Sequence, residues 1–204
     1  MRLILASASP RRAELLRAAG YAFEIVVADV DESIHPGEAP SAYVRRLAAE
    51  KSAAAQSGVA RGLPPRDGSP EGAALHQPVI LGADTAVVVD GDILGKPRDN
   101  EEAAAMLRRL SGTRHMVMTG VSLRQGAREL GRVESTTVCF RALSADEVAW
   151  YVASGEGRDK AGAYAIQGLA SRFATRIDGS YSNVVGLPVA AVAELMTSLL
   201  ASGV

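Results

Sequence analysis

Cysteine is nearly absent: Cys139 is the one thiol in 204 residues. That excludes an intrachain disulfide and any cysteine cluster for zinc. Histidine is almost as scarce, and His35, His76 and His115 show no H-x-H or H-x-x-x-H spacing. Any metal is therefore expected to be a hard cation on oxygen ligands. Aromatics make up only 4% of the chain, which leaves no stacking platform for single-stranded nucleic acid. A basic excess is missing too. Lys+Arg is 22 against 23 Asp+Glu, for a net charge of -1, which argues against a chain whose main task is to hold a nucleic-acid backbone. No apolar run approaches the roughly 18 residues of a membrane span. The segment Met1 to Ala8 superficially resembles a signal peptide, but its apolar stretch falls short of the roughly 7–15 residues of an h-region, and Pro10-Arg11-Arg12 follows at once. It reads as the first strand of a cytoplasmic protein. The P-loop, Rossmann and G-x-S-x-G signatures are also missing.

Lysine is scarce as well. Of the 22 cations, nineteen are arginines and three are lysines, Lys51, Lys96 and Lys160. A chain that writes Arg by default keeps Lys where a compact ammonium is wanted, unless the three are incidental.

What is present fits a globular α/β chain, with 48% hydrophobic and 22% charged residues and enough length to bury a sizeable core. The length prior gives one large domain or two small lobes over residues 1–204. Leu3-Ile4-Leu5 predicts a short buried strand. Ser9-Pro10 predicts a helix start, and Gly20 its stop. Phe23 to Ala28 reads as a strand and Asp29 to Gly37 as an acidic loop. Pro40 opens a helix to about Ser57, with Lys51 on or beside its apolar face. Residues 61–77 are rich in Pro and Gly and read as a mobile surface insertion. Val79-Ile80-Leu81 predicts a central strand ending in a turn, Gly82-Ala83-Asp84-Thr85. Ala86 to Val89 continues as a strand into the Asp90-Gly91 hairpin. Asp99 or Asn100 caps a helix. Met116–Arg124 and Glu129–Phe140 predict antiparallel strands, with Cys139 buried in the second. Ser144 and Glu147 form a capping box, Gly155 to Gly186 is rich in Gly, Ser and Asn and contains Lys160, and Pro188 starts the last helix. Strands that both alternate with helices and pair as hairpins indicate an α/β fold with a mixed sheet.

Several residues stand where chemistry is plausible. Ser7, Ser9, Arg11 and Arg12 surround a helix N-terminus and suit a phosphate group; an N-cap followed by surface arginines is the competing reading. Asp84 follows a buried strand, as a catalytic or metal-binding carboxylate would, or bonds its own backbone in a turn. Asp31-Glu32 is a solvated pair or a source of a Mg²⁺ ligand, since Mg²⁺ uses one or two carboxylates plus substrate phosphates. A nucleoside triphosphate carries about four negative charges and needs several converging cations.

As a set, the motifs resemble the Maf family of nucleoside triphosphate pyrophosphatases. The carriers are Leu5-Ala6-Ser7-Ala8-Ser9-Pro10-Arg11-Arg12, Arg46-Leu47-Ala48 with Lys51, Gly82-Ala83-Asp84-Thr85 and Leu94-Gly95-Lys96-Pro97. Leu110-Ser111-Gly112 with His115, Asp159-Lys160-Ala161-Gly162-Ala163-Tyr164, Ile166-Gln167-Gly168, and Gly179-Ser180-Tyr181 through Pro188 complete them, in family order. The resemblance implies a two-lobed α/β fold around a deep cleft, similar to inosine triphosphate pyrophosphatase. It implies cleavage of the α–β phosphate bond with Mg²⁺ or Mn²⁺, and a homodimer. By the same resemblance Asp84 would be the general base, Glu32 with Asp84 would hold the metal, and Ser7, Arg12, Lys51, Lys96 and Lys160 would bind phosphates. Arg11, Thr85 and Gln167 match the branch similar to dTTP/UTP pyrophosphatase; the branch similar to 7-methyl-GTP pyrophosphatase has Trp, Gln and Glu there. The family also carries an association with septum formation, which the sequence supports with no feature of its own. Ala165 and Gly157 depart from the usual family residues, Gly and Pro.

Overall fold

The computed structural model describes residues 2–62 and 77–201. The insertion expected over residues 61–77 lies almost wholly outside them. The strands are β1 (Leu3–Ala6), β2 (Glu24–Ile25), β3 (Val79–Val89), β4 (Asp92–Leu94), β5 (Arg114–Gln125), β6 (Arg128–Phe140) and β7 (Ala174–Asp178). The helices are α1 (Pro10–Ala18), α2 (Pro40–Gly62), α3 (Asn100–Leu110), α4 (Ala145–Ser154), α5 (Tyr181–Val185) and α6 (Val189–Ala201). One mixed sheet runs β2-β1-β3-β5-β6-β7, with β4 added to β3. The α/β mixed-sheet expectation is met.

Local chemistry explains most boundaries. Pro10 opens α1, and Gly20 takes the positive φ that ends its turn. Asp99 caps α3 by accepting from the Glu102 N–H, and the Ser144–Glu147 capping box starts α4. The β5–β6 hairpin closes at Gln125↔Arg128, as expected. Three expectations need correction. The strand expected over Phe23–Ala28 is only Glu24–Ile25, because β2 pairs the four-residue β1 at two positions. The Gly-, Ser- and Asn-rich stretch Gly155 to Gly186, to which the sequence pattern assigns no element, holds β7 and α5; β7 escapes pattern reading because Ile177 is its one large apolar residue. Cys139 is partly exposed rather than buried, because Val138 and Phe140 take the core face of β6 and the strand alternates.

The largest correction concerns Gly82-Ala83-Asp84-Thr85. It is no turn but the middle of an eleven-residue strand. Gly82 is there for closeness. A Cβ on it would meet the Ala48 carbonyl oxygen at 2.2 Å, and one on Gly120 would meet that of Val44 at 2.1 Å. The two glycines let α2 lie directly on the backbones of β3 and β5.

Alternation along β3 then sorts the core. Ile80, Ala86 and Val88 face α2. On the other face, Leu81 and Ala83 join Leu3, Leu5, Leu16, Val192 and Met196 under α1 and α6. Val87 and Val89 join Leu107, Leu110, Phe140, Tyr151 and Phe173 under α3 and α4. Thr85 falls between these two cores. His115, 2% exposed, belongs to the second. Its Nε2 lies 2.9 Å from the Tyr164 hydroxyl, its ring stands edge-on to Phe140, and its Nδ1 has no hydrogen-bond partner among the described residues.

Gly82→Ala should cost about 1–3 kcal/mol, the range for overpacking, because α2 must shift; urea unfolding measures it. Burial pushes the His115 imidazole down to about 4 from 6.5. Its contribution to stability is therefore full above pH 6.5 and is lost as pH falls toward 4, a loss on the order of 3 kcal/mol. Urea unfolding at pH 7 and pH 4.5 should show this loss in the parent chain and a smaller one in His115→Gln.

Candidate active site

The cleft opens where the sheet is interrupted. β1 pairs β3 only as far as Ala6↔Gly82, and β4 begins at Val87↔Leu94. Between them, Ala83 to Ala86 keep β5 on one edge and, among the described residues, have no strand on the other. A cavity of about 720 Å³ occupies this gap, within the size range of ligand pockets. Because side chains alternate, Asp84 and Thr85 enter the site from opposite faces of the same strand.

On the α2 face, Lys51 organises two carboxylates. Its Nζ donates to Asp84 Oδ1 at 2.6 Å and to Glu32 Oε1 at 2.6 Å. Lys51 and Asp84 are both buried, at 8% exposed. Lys96, from the break after β4, approaches the other Glu32 oxygen at 3.9 Å. Burial raises the Glu32 carboxyl, but its hydrogen bond to Lys51 and the charges of Lys51, Lys96 and Arg12 outweigh that, and its pKa is lowered overall. Tyr43, beside it on α2, is pushed up to about 12 by burial and then by the charges of Asp84 and Glu32.

On the opposite face, Arg12 fills the seam between the two cores. Its Nε donates to the Gly186 carbonyl at 2.8 Å, Nη1 to Ser7 Oγ at 3.1 Å and Nη2 to Thr85 Oγ1 at 3.0 Å. All three acceptors are neutral, and the side chain is buried. Burial lowers its pKa, against the opposing pull of Asp84 and the added push of Arg11. Thr85 passes the network on to Thr119 at 3.0 Å. Ser9 sits at the N-cap of α1 but makes no side-chain capping bond; its N–H donates to Ser7 Oγ at 3.2 Å.

The far wall carries Lys160, which donates to the Glu156 carbonyl and to Asp159 Oδ1, both at 2.6 Å. Asp159 also lies 3.5 Å from Arg11, so this pair spans the cleft. Arg11, Arg12, Lys51, Lys96 and Lys160 line the cavity with only Glu32, Asp84 and Asp159 against them. The site is locally cationic in a chain of net charge -1. Such a site takes an anion, and its five cations suit a polyphosphate.

Ser7, Arg11, Arg12, Glu32, Lys51, Asp84, Thr85, Lys96 and Lys160 all meet in this cavity. Gln167 does not; it is exposed and outside the lining. Sequence reasoning missed the site roles of Tyr43, Asp159 and the Gly186 carbonyl. A Tyr at the start of α2, eight residues before the inward Lys51, was the one usable signal.

Among known proteins, the Maf-like protein family matches residues 2–199. The dTTP/UTP pyrophosphatase of Anaeromyxobacter sp. (strain Fw109-5) is 50% identical, over 96% of this chain and 88% of its own. Those of Shewanella denitrificans and Escherichia coli O157:H7 are 47% and 46% identical, over 98% and 96% of this chain and 97% and 92% of theirs. Among solved structures, the Ham1 protein of Staphylococcus aureus aligns with a TM-score of 0.39 at 13% identity, over 68% of this chain and 70% of that one. With the family matched across both walls of the cleft, the chain belongs to the Maf family.

Proposed function

We propose that this protein is a metal-dependent nucleoside triphosphate pyrophosphatase acting on dTTP and UTP, and on base-modified uridine triphosphates, to give the nucleoside monophosphate and pyrophosphate. One observation carries the reading: among the described residues Arg12 is a buried cation bonded only to neutral oxygens, across one strand from the two carboxylates, Asp84 and Glu32, that share the Lys51 ammonium. A buried charge with no counter-charge in direct contact is costly, and a bound phosphate supplies one. Relatives at 46–50% identity named dTTP/UTP pyrophosphatase support the substrate class.

The donor set fits Mg²⁺ or Mn²⁺. Glu32 and Asp84 already converge on one ammonium, and their donors are hard oxygens. Among the described residues no group of three His, Cys, Asp or Glu gathers. Glu32 and Asp84 would hold the cation, and water and phosphate oxygens would complete its ligands, as Mg²⁺ prefers. When bound, the cation would neutralise charge developing on the phosphate. Asp84 accepts a proton from the attacking water. Lys51 holds both carboxylates convergent through its two hydrogen bonds. Ser7, Arg12, Lys96 and Lys160 bind and orient the phosphates, which fixes the in-line approach. Selectivity is assigned to Arg11 and Thr85 at the cavity and to Gln167, a neutral amide that both donates to and accepts from a pyrimidine edge. A cytoplasmic homodimer completes the proposal; it rests on family membership. No helix among the described residues is long and apolar enough to cross a membrane.

Pyrophosphate release from a nucleotide panel tests the proposal. The parent chain should turn over dTTP and UTP with Mg²⁺ or Mn²⁺ and disfavour 7-methyl-GTP. Asp84→Asn should lose about 100-fold to 10,000-fold in rate, the range for a positioned acid–base group, with its unfolding midpoint retained. Full activity in Asp84→Asn would remove its assigned role.

A further inference from the structure

Glu32 supplies half of the carboxylate pair, yet it sits in a stretch, residues 26–39, that contains no helix or strand. A metal-ligating or water-orienting carboxylate must be held to within a fraction of an ångström, so something outside that stretch has to fix it. The contacts come from α2. The Tyr43 hydroxyl donates to the Glu32 carbonyl at 3.0 Å, and Arg46 Nη2 donates to the Ser33 carbonyl at 2.9 Å. Two consecutive peptide carbonyls are thus taken by two side chains at i and i+3 on one helix face. The same guanidinium forks Glu38, with Nε to Oε1 at 2.7 Å and Nη2 to Oε2 at 2.8 Å. It lies 5.6 Å from the centre of the Tyr43 ring. Glu38 in turn accepts from the His35 N–H at 3.1 Å, and Asp31 accepts from the Ser33 N–H at 2.9 Å. Arg46 and Glu38 are well covered, with side chains 19% and 9% exposed. Its Nη1 also reaches the Glu50 carboxylate at 3.3 Å, so one planar fork serves three residues, Ser33, Glu38 and Glu50, which a lysine has no geometry to copy.

We propose that Arg46, acting with Glu38 and Tyr43, is a positioning residue that clamps the Glu32 backbone so that its carboxylate meets Asp84. The inference rests on the proposed role of Glu32 in the carboxylate pair. It assigns α2 a double task. One helix holds the Glu32 carbonyl through Tyr43, the adjoining Ser33 carbonyl through Arg46 and the Glu32 carboxylate through Lys51.

The test is a double-mutant cycle of Arg46→Gln with Glu32→Gln, read by Mn²⁺ binding to the nucleotide-loaded protein by electron paramagnetic resonance and by the Mn²⁺ dependence of pyrophosphate release. Arg46→Gln alone should weaken Mn²⁺ binding about tenfold, the usual effect of removing an outer partner of a ligand, and saturating Mn²⁺ should restore most of the rate. Arg46→Lys should behave like Arg46→Gln. In the Glu32→Gln background, Arg46→Gln should add nothing. Equal losses in both backgrounds would overturn the clamp and make Arg46 a general folding contact. Amide hydrogen exchange gives a reading independent of activity. Residues 31–35 should exchange faster in Arg46→Gln while β3 stays unchanged, and an unchanged 31–35 segment would also overturn the proposal. A parent chain that neither binds Mn²⁺ nor releases pyrophosphate would reject the proposed function instead, and the exchange comparison would still decide the clamp.

Discussion

The close seat of α2 on the sheet is the constraint from which the site follows. Gly82 and Gly120 present bare backbone to the Ala48 and Val44 carbonyls, at separations no side chain would allow. That closeness brings Lys51 down onto Asp84 in the middle of β3, and with Lys51 comes Glu32. A buried charge is costly unless it is paired and hydrogen-bonded. Lys51 and Asp84 are buried and pair with each other, and Glu32 joins the same ammonium from a more exposed position, so two carboxylates converge at one point.

The second constraint is the break in the cores. Two apolar clusters cover the other face of the sheet, and Thr85 lies between them. The seam is filled by polar groups, Arg12, Thr85 and Thr119, joined by hydrogen bonds. It coincides with the gap in pairing along β3, so the cavity is lined from both faces of one strand. The cleft gathers five cations although the whole chain is slightly acidic. All three lysines are among them. Their scarcity elsewhere is what the cavity makes meaningful, since an arginine-rich chain has spent its few compact ammonium groups at one place.

Much of this was legible in the sequence, and the failures have physical causes. The helix starts at Pro10 and Ser144 followed from capping chemistry, which is local. The inward lean of Lys51 followed from helical spacing. The residues brought together at the cavity were marked by motif order, with Gln167 the exception, exposed beyond the lining. Gly82-Ala83-Asp84-Thr85 read as a turn because glycine permits both a turn and a close approach, and only the packed helix distinguishes them. The seven-strand sheet was underestimated at β7, whose five residues carry little apolar pattern. The Arg46 contacts were invisible because they join a helix to an irregular segment, where no period relates the partners.

A crystal structure with Mn²⁺ and a dTTP analogue whose α–β bridge resists hydrolysis tests the central claim most directly. The account predicts the triphosphate in the β3 gap, with phosphate oxygens on Arg12, Lys96 and Lys160 and the cation on Glu32 and Asp84. A nucleotide bound outside the gap, or phosphates with no contact to Arg12, would contradict it.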